Sequence, residues 1–581
     1  MNWKQTRYLI KSDIRRKARC DGRRNTRSLL LTAFSPSCIA VIIFRLQHYC
    51  ITNGLYLPTK LLAVLNIILF STEIGARCEI DEGFCLGHAN GIAIHEQTRI
   101  GKNCTIMHQS ALGFRSLHTP GENDFVILED DVLIGAGVRL LGPLTIGRGS
   151  LIGMNSVVLH SCPPASLVTG CPARVVRTLG SDYVFPAETV NRKWKSRHPC
   201  SLRETFRRID KDMRNRARTD GKSFSRFAYL FVILNPPALA VINFRLCHWL
   251  DGHGFSFIAK LLNGINATLF KTEIGAKASI EGGLVLLHCN GIIINSQTKI
   301  GKNVVFAHHN TVSIGPRRKM DPENDFVTIG DNTFVGAGAR IIGNISIGRN
   351  CIIAMNEVVS RSVPDDSICL KGSFRPRTKS AENQREVTTA IPETTTVSLW
   401  KTLQLIKADI NRRAKLEGKK ANLFYFCKIP LNPPAMAVVI FRFSSLARQK
   451  KLKPVAKLLY LMNFFLFSVE IQTGADIGPG LILAHANGIV IHDNSIIGRN
   501  CTFMFQNTVT VGPHATEGDN RIYYVKIGDG VTIAMGARII GPLTIGDNVL
   551  VSANAVVTRD VPANSIVCGI PARKVRRRAP T

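Results

Sequence analysis

At 581 residues the chain exceeds what one ordinary core supports, so several domains are expected. Hydrophobic residues make up 45% and charged residues 20%, close to the globular average, which argues against a disordered or fibrous chain. Lys plus Arg outnumber Asp plus Glu by 74 to 41, a formal charge of +33 that favours anionic partners such as nucleotides, phospholipid headgroups or acidic glycans. No Cys-x-x-Cys with His partners and no aromatic-interleaved basic strand accompanies that charge, so nucleic acid is not expected as a partner. The sixteen cysteines show no close pairs and no framework spacing. They read as reduced thiols, with no disulfide or metal scaffold, and point to the cytoplasm. Residues 1 to 27 lack the apolar core of a signal peptide, and no apolar stretch approaches the ~20 residues a membrane span needs.

In chain order the sequence repeats itself three times with a period of about two hundred residues. The first segment, 1–72, carries twelve Lys or Arg against two Asp or Glu and has apolar residues at helical spacing, as at Leu61, Leu62, Leu65 and Leu69. Its landmarks recur in the same order in 201–272 and 399–469: Asp13 as Asp212 and Asp409, and Phe44-Arg45 as Phe244-Arg245 and Phe441-Arg442. Asn-Pro-Pro at 235 to 237 and 432 to 434 should break or begin a helix, because proline lacks a donor and restricts the residue before it. Each helical segment is followed by a second region, 73–179, 273–377 and 470–581. Residues 180–200 and 378–398 have the composition of solvated linkers.

The second regions have a period of six. Leu128, Ile134, Leu140, Ile146, Ile152 and Val158 stand six apart, as do Ile329 to Val359 in copy 2 and Ile527 to Val557 in copy 3. No α-helix has that period. One aliphatic side chain per short strand pointing inward, with a turn after each, closes a triangular coil every three hexads and stacks it on the next. Each of these regions opens on a glutamate, Glu73, Glu273 or Glu470, and fifteen residues later comes His-x-Asn-Gly-Ile, beginning at His88, His288 and His485.

Gly-His-Ala-Asn-Gly-Ile at 87 to 92, Ile-Gly-Ala-Gly at 134 to 137, Val-Gly-Ala-Gly at 335 to 338 and Cys-Gly-Ile-Pro-Ala-Arg-Lys-Val at 568 to 575 resemble the hexapeptide-repeat acyltransferases. The closest resemblance is to the serine acetyltransferase branch with its polysaccharide-modifying relatives. It implies a mainly β fold, a left-handed parallel β-helix, with each copy preceded by a short α-helical segment. The family assembles as trimers that hold acyl-CoA between neighbouring β-helices, so three copies on one chain imply an intramolecular pseudo-trimer. A linear array of independent units is the alternative.

The resemblance makes His88, His288 and His485 the general bases, since imidazole suits proton removal from a hydroxyl at neutral pH, and it places Glu73, Glu273 and Glu470 at an acidic position of the same site. Acetyl-CoA would be the cosubstrate, with Ala136, Ala337 and Met535 on the groove wall and Arg174, Arg573 and Lys574 by the nucleotide end. In copy 2, Lys371-Gly372-Ser373-Phe374-Arg375 has lost the Pro-Ala pair of that last motif.

There are departures from the family pattern. The aspartate expected immediately before the base is Gly87, Leu287 or Ala484. The second histidine falls near Phe125, Phe326 and Tyr524, and the arginine that grips the carboxylate of serine falls near Asp124, Asp325 and Tyr523. His108 and His308 share a place with Phe505, and His95 and His492 share one with Asn295, swaps that suit packing. The expected function is therefore acetyl transfer to a hydroxyl acceptor, of a sugar or polysaccharide precursor; free serine is the alternative acceptor. A non-catalytic β-helix scaffold is a second alternative. The basic helical segments leave room for peripheral contact with an anionic membrane.

Overall fold

The computed structural model describes residues 1–21, 26–114, 125–180, 200–221, 235–314, 326–377, 398–511 and 524–578. Nearly all of both expected linkers, and Asp124, Asp325 and Tyr523, lie outside the described residues. The chain divides into two compact units, Met1–Lys379 with copies 1 and 2, and Ser380–Thr581 with copy 3.

The helices of copy 1 are α1 (Trp3–Cys20), α2 (Thr26–Ala33), α3 (Pro36–Thr52) and α4 (Tyr56–Phe70). Copy 2 has α5 (Leu202–Thr219), α6 (Pro236–Gly252) and α7 (Ser256–Leu269), and copy 3 has α8 (Leu399–Leu416), α9 (Leu423–Cys427), α10 (Pro433–Gln449) and α11 (Lys453–Phe467). Asn2 starts α1 with a capping box, its side chain accepting from the Gln5 N–H while the Gln5 side chain accepts from the Asn2 N–H. The prolines open α3, α6 and α10, in the first turn, where no helical donor is lost.

The recurring Asp and Phe-Arg landmarks turn out to be one structural device. Arg45 Nε donates to Asp13 Oδ2 at 2.9 Å, Arg245 to Asp212 at 2.8 Å and Arg442 to Asp409 at 2.9 Å, all buried. The remaining guanidinium donors reach strand carbonyls, Ile80 O and Asp81 O in copy 1, while Asp13 Oδ1 accepts from the Phe84 N–H. A buried charge persists only when paired and hydrogen-bonded, and here the pair ties α1 and α3 to the first coil of the β-region.

Each β-region is a three-sided parallel β-helix of five-, four- and six-stranded sheets. In copy 1, Leu128, Leu140 and Ile134 belong to three different sheets, so successive hexads take successive faces. Along one face the register runs Ile74, Ile94, Leu112, Leu140, Val158, and all five are buried. Arg139 pairs with Val157, eighteen residues on, whereas Ala111 pairs with Arg139, twenty-eight on; the longer step contains residues 115–124. The last two strands, Ser166–Gly170 and Ala173–Thr178, pair antiparallel and close the stack. At the other end Ala40, Val41, Ile43 and Phe44 of α3 continue the same core, so the helical segment caps the coil.

Copies 1 and 2 are joined by buried polar side chains. Asn90 Nδ2 donates to Lys271 O at 2.7 Å, Gln109 Nε2 to Gly291 O at 2.7 Å, and Asn155 Nδ2 to Gly338 O at 2.9 Å. Arg340 returns two donors, to Asn155 Oδ1 at 3.0 Å and Gln109 Oε1 at 2.6 Å. Every one of these side chains is buried, so the junction is specified by hydrogen-bond geometry.

Candidate active site

The six-stranded sheet of copy 1 aligns Leu86, Ile106, Ile134, Ile152 and Val168. Two residues beyond the first four of these lie His88, His108, Ala136 and Met154, stacked along one corner. Copy 2 carries His288, His308, Ala337 and Met355 in the same column, and copy 3 carries His485, Phe505, Met535 and Ala553.

The copy 1 column faces copy 2 across a cleft of about 220 Å³ lined by His88, His108 and Met154 on one side and Glu273, Asn295 and Ser313 on the other. His88 Nδ1 lies 2.7 Å from Glu273 Oε2. The carboxylate of His88 therefore comes from the neighbouring copy, and the fifteen-residue spacing between Glu73 and His88 reflects the strand-to-corner path within one coil, with no contact implied. Glu73 lies on the strand Thr72–Ile74, and Glu470, buried, accepts from the Tyr460 hydroxyl at 3.1 Å.

An ionised carboxylate only accepts, so Nδ1 of His88 carries a proton in this contact, and in the neutral imidazole Nε2 is the nitrogen left with a lone pair. Burial works against the charge of Glu273, but the attraction and hydrogen bond of His88 outweigh it and hold the carboxyl below the usual glutamate range.

His108 packs edge-on against His88 with ring centroids 5.3 Å apart, and His308 stands against His288 and Phe505 against His485 in the same way, at 5.2 and 5.4 Å. His108 is fully buried, with Nε2 2.7 Å from Thr311 Oγ1, which also accepts from Arg340 Nη1. Burial, with His88 and Arg340 nearby, pushes its pKa well down, so it is neutral. The place shared by His108, His308 and Phe505 is thus a ring that braces the candidate base, and Asn295 is a cleft residue. The exchange of His for Phe pointed to packing at the first place, whereas residue type gave no signal that Asn295 lines the cleft, which only the neighbouring copy reveals.

Phe125 and Phe326 stand elsewhere, under the cations of Arg99 (5.2 Å) and Lys299 (3.6 Å) on the adjacent coil. Among the described residues, the cleft lining holds no Arg or Lys. Ala136 and Ala337 are buried on the corner column, and Met535 occupies the same level in copy 3. Arg174, Arg573 and Lys574 lie exposed on the terminal strands Ala173–Thr178 and Arg573–Arg577, outside the cleft lining. Among the described residues no three His, Cys, Asp or Glu side chains gather as metal ligands, and no helix is long and apolar enough to cross a membrane.

Comparison with known proteins matches each β-helix. The family described as bacterial transferase hexapeptide (six repeats) matches residues 326–356 and 524–559, and the hexapeptide repeat of succinyl-transferase matches 125–160. The serine acetyltransferase of Synechococcus elongatus is 33% identical over 145 residues, 25% of this chain and 58% of the relative; that of Staphylococcus xylosus is 40% identical over 129 residues, 22% and 58%. All three copies carry hexapeptide repeats, and the chain is similar to the serine acetyltransferases. It spans little more than half the length of those curated relatives. Among solved structures, it is similar to Neisseria gonorrhoeae serine acetyltransferase in complex with serine (26% identity, 29% of this chain and 69% of that one, TM-score 0.27). It is also similar to the Brucella abortus enzyme in complex with coenzyme A (27%, 31% and 70%, TM-score 0.29).

Proposed function

We propose that this protein is an O-acetyltransferase that moves the acetyl group of acetyl-CoA to a hydroxyl, with the cleft between copies 1 and 2 as one of its sites. The observation that carries the proposal is the His88–Glu273 pair, with Nδ1 on the carboxylate and Nε2 left to take a proton. His88 Nε2 removes the hydroxyl proton as the oxygen attacks the thioester carbonyl. Glu273 stabilises the imidazolium that forms, and the proton then passes to the departing CoA thiolate. The corner column of Ala136 and Met154 is the wall along which the pantetheine arm would run, leading to Arg174 at the far end of the stack.

Free serine is the acceptor we favour, because the curated relatives are named for it. A sugar hydroxyl is the second reading, favoured by Gly87 in place of the acid before the base and by the absence of cations among the described lining residues. By symmetry of sequence the three copies would close into a single-chain trimer, with His288 and His485 as further bases. Sixteen free thiols suit the reducing cytoplasm.

The test follows CoA release by thiol titration with acetyl-CoA and millimolar L-serine. Turnover that falls about 10²–10⁴-fold is expected in the triple variant His88→Ala/His288→Ala/His485→Ala, while His88→Ala alone loses only the share of its own site. Turnover unchanged in the triple variant His88→Ala/His288→Ala/His485→Ala removes the mechanism, and no turnover with serine, alongside turnover with a glycan acceptor, selects the second reading.

A further inference from the structure

The last helix of each helical segment leaves an apolar face in water. Leu55, Leu61 and Leu65 at and along α4 are matched by Phe255, Leu261 and Ile265 at α7 and by Leu452, Leu458 and Met462 at α11. All nine are exposed, Leu61, Leu261 and Leu458 by 51%, 61% and 67%. Leu61 and Leu65, Leu261 and Ile265, and Leu458 and Met462 stand four apart, which puts each pair on one side of its helix, away from the buried Asn66, Asn266 and Asn463, whose amides donate to Ala40 O, Ala240 O and Ala437 O of the preceding helix; Leu55, Phe255 and Leu452 extend the patch at the N-cap. A lone exposed leucine needs no explanation, but the same stripe at the same positions in three diverged copies does.

The stripe is set among cations. Lys60, Lys260 and Lys457 are exposed directly before the central leucine of each stripe, and α4, α7 and α11 contain no Asp or Glu. In copy 1 the exposed Trp3 rests edge-on against Tyr49 at 5.6 Å, and Asn53 Nδ2 donates to Met1 O at 3.1 Å, which brings the start of α1, with exposed Lys4 and Arg7, to the α3–α4 turn beside Leu55. Exposed apolar residues beside lysine, with no acidic residue, on a helix of fourteen or fifteen residues are what an interfacial helix presents to lipid: the apolar face enters the headgroup boundary while the cations meet anionic headgroups. A second copy of the chain would bring two cationic faces together, so charge argues against self-association as the cover.

We propose that the outward faces of α4, α7 and α11 dock this protein on an anionic lipid surface, without crossing it. The test is flotation of the full-length chain with vesicles of phosphatidylcholine plus phosphatidylglycerol, against phosphatidylcholine alone. Binding to the anionic vesicles is expected to exceed binding to the neutral ones about tenfold or more and to weaken with salt. Leu61→Glu/Leu261→Glu/Leu458→Glu and, separately, Lys60→Glu/Lys260→Glu/Lys457→Glu should each abolish flotation while the circular dichroism melting curve is kept, since all six side chains are exposed. The proposal is overturned by absence of flotation, by unchanged flotation of the leucine variant, or by a chain that sediments as a dimer and becomes monomeric on that substitution. None of these readouts involves turnover, so they are independent of the acetyltransferase assignment.

Discussion

At the scale of residues, the informative histidines differ in what surrounds them. His88 is part-exposed and faces Glu273, whereas His108, one coil below, is sealed and hydrogen-bonded to Thr311. The carboxyl of Glu273 sits below its ordinary range, so its pairing contributes stability that is present above the unfolded value of about 4.3 and is lost as pH falls through the lower folded value. Glu273→Gln should therefore melt below the native protein at pH 5 to 7, with the gap closing at more acid pH. If the gap is the same at every pH, His88 and Glu273 do not form a charged pair. The histidine and glutamate positions were legible in the sequence because they recur with fixed spacing; which glutamate serves which histidine was not, since the partner is 185 residues away in another copy.

At the scale of elements, the copies differ where one helix hands over to the first strand. Copies 1 and 3 place Ser71 and Ser468 there in the left-handed conformation, and copy 2 places Lys271, also left-handed. Lys271 Nζ donates to Thr268 O of α7 and to Ile68 O and Leu69 O of α4, a clamp on the ends of two helices from different copies. Burial lowers its pKa to about 7. Between that value and the ordinary ~10.4 the unfolded chain binds more protons, so raising the pH stabilises the folded state. Lys271→Met should be less stable by about 1–3 kcal/mol at pH 10, because the carbonyls of Thr268, Ile68 and Leu69 lose the amine whose two N–H groups they share, and the gap should narrow toward pH 7. Thermal melts of both proteins across that range decide it. The helical pattern of α4 was evident from Leu61, Leu62, Leu65 and Leu69, but only Leu62 and Leu69 pack against the core, and Leu61 and Leu65 face outward. Periodicity reports a helix without saying which apolar face is covered.

At the scale of the whole molecule, triplication frees each copy to vary. Ala136 with Met154 in copy 1 and Ala337 with Met355 in copy 2 become Met535 with Ala553 in copy 3, an exchange of bulk between two levels of one column. In copy 2 the buried Glu357 accepts from the Lys371 and Gly372 N–H groups at 2.8 and 2.7 Å, where Ser156 of copy 1 accepts from the Gly170 N–H. Because copies 1 and 2 share one compact unit through Asn155, Gln109 and Arg340, a fragment of residues 1–379 should unfold in one cooperative transition. Asn155→Ala, which removes the amide that donates to Gly338 O and Asn356 O and accepts from Arg340, should lower its stability by about 1–3 kcal/mol in urea melts, and two separate transitions in the unaltered fragment would show that the junction carries no cooperativity.

By itself the sequence determined the three copies, the six-residue period with its three-sided coil, the helical segments and the identity of the candidate base, because each is written in short-range pattern or in repetition. Tertiary structure alone decided that the recurring Asp and Arg are a buried brace and that the His88 carboxylate comes from copy 2. It alone showed that His108 and Asn295 belong to the cleft and that one apolar stripe per copy stays in water. Those facts depend on contacts between residues far apart in the chain, and local pattern carries no information about which distant surface a side chain will meet.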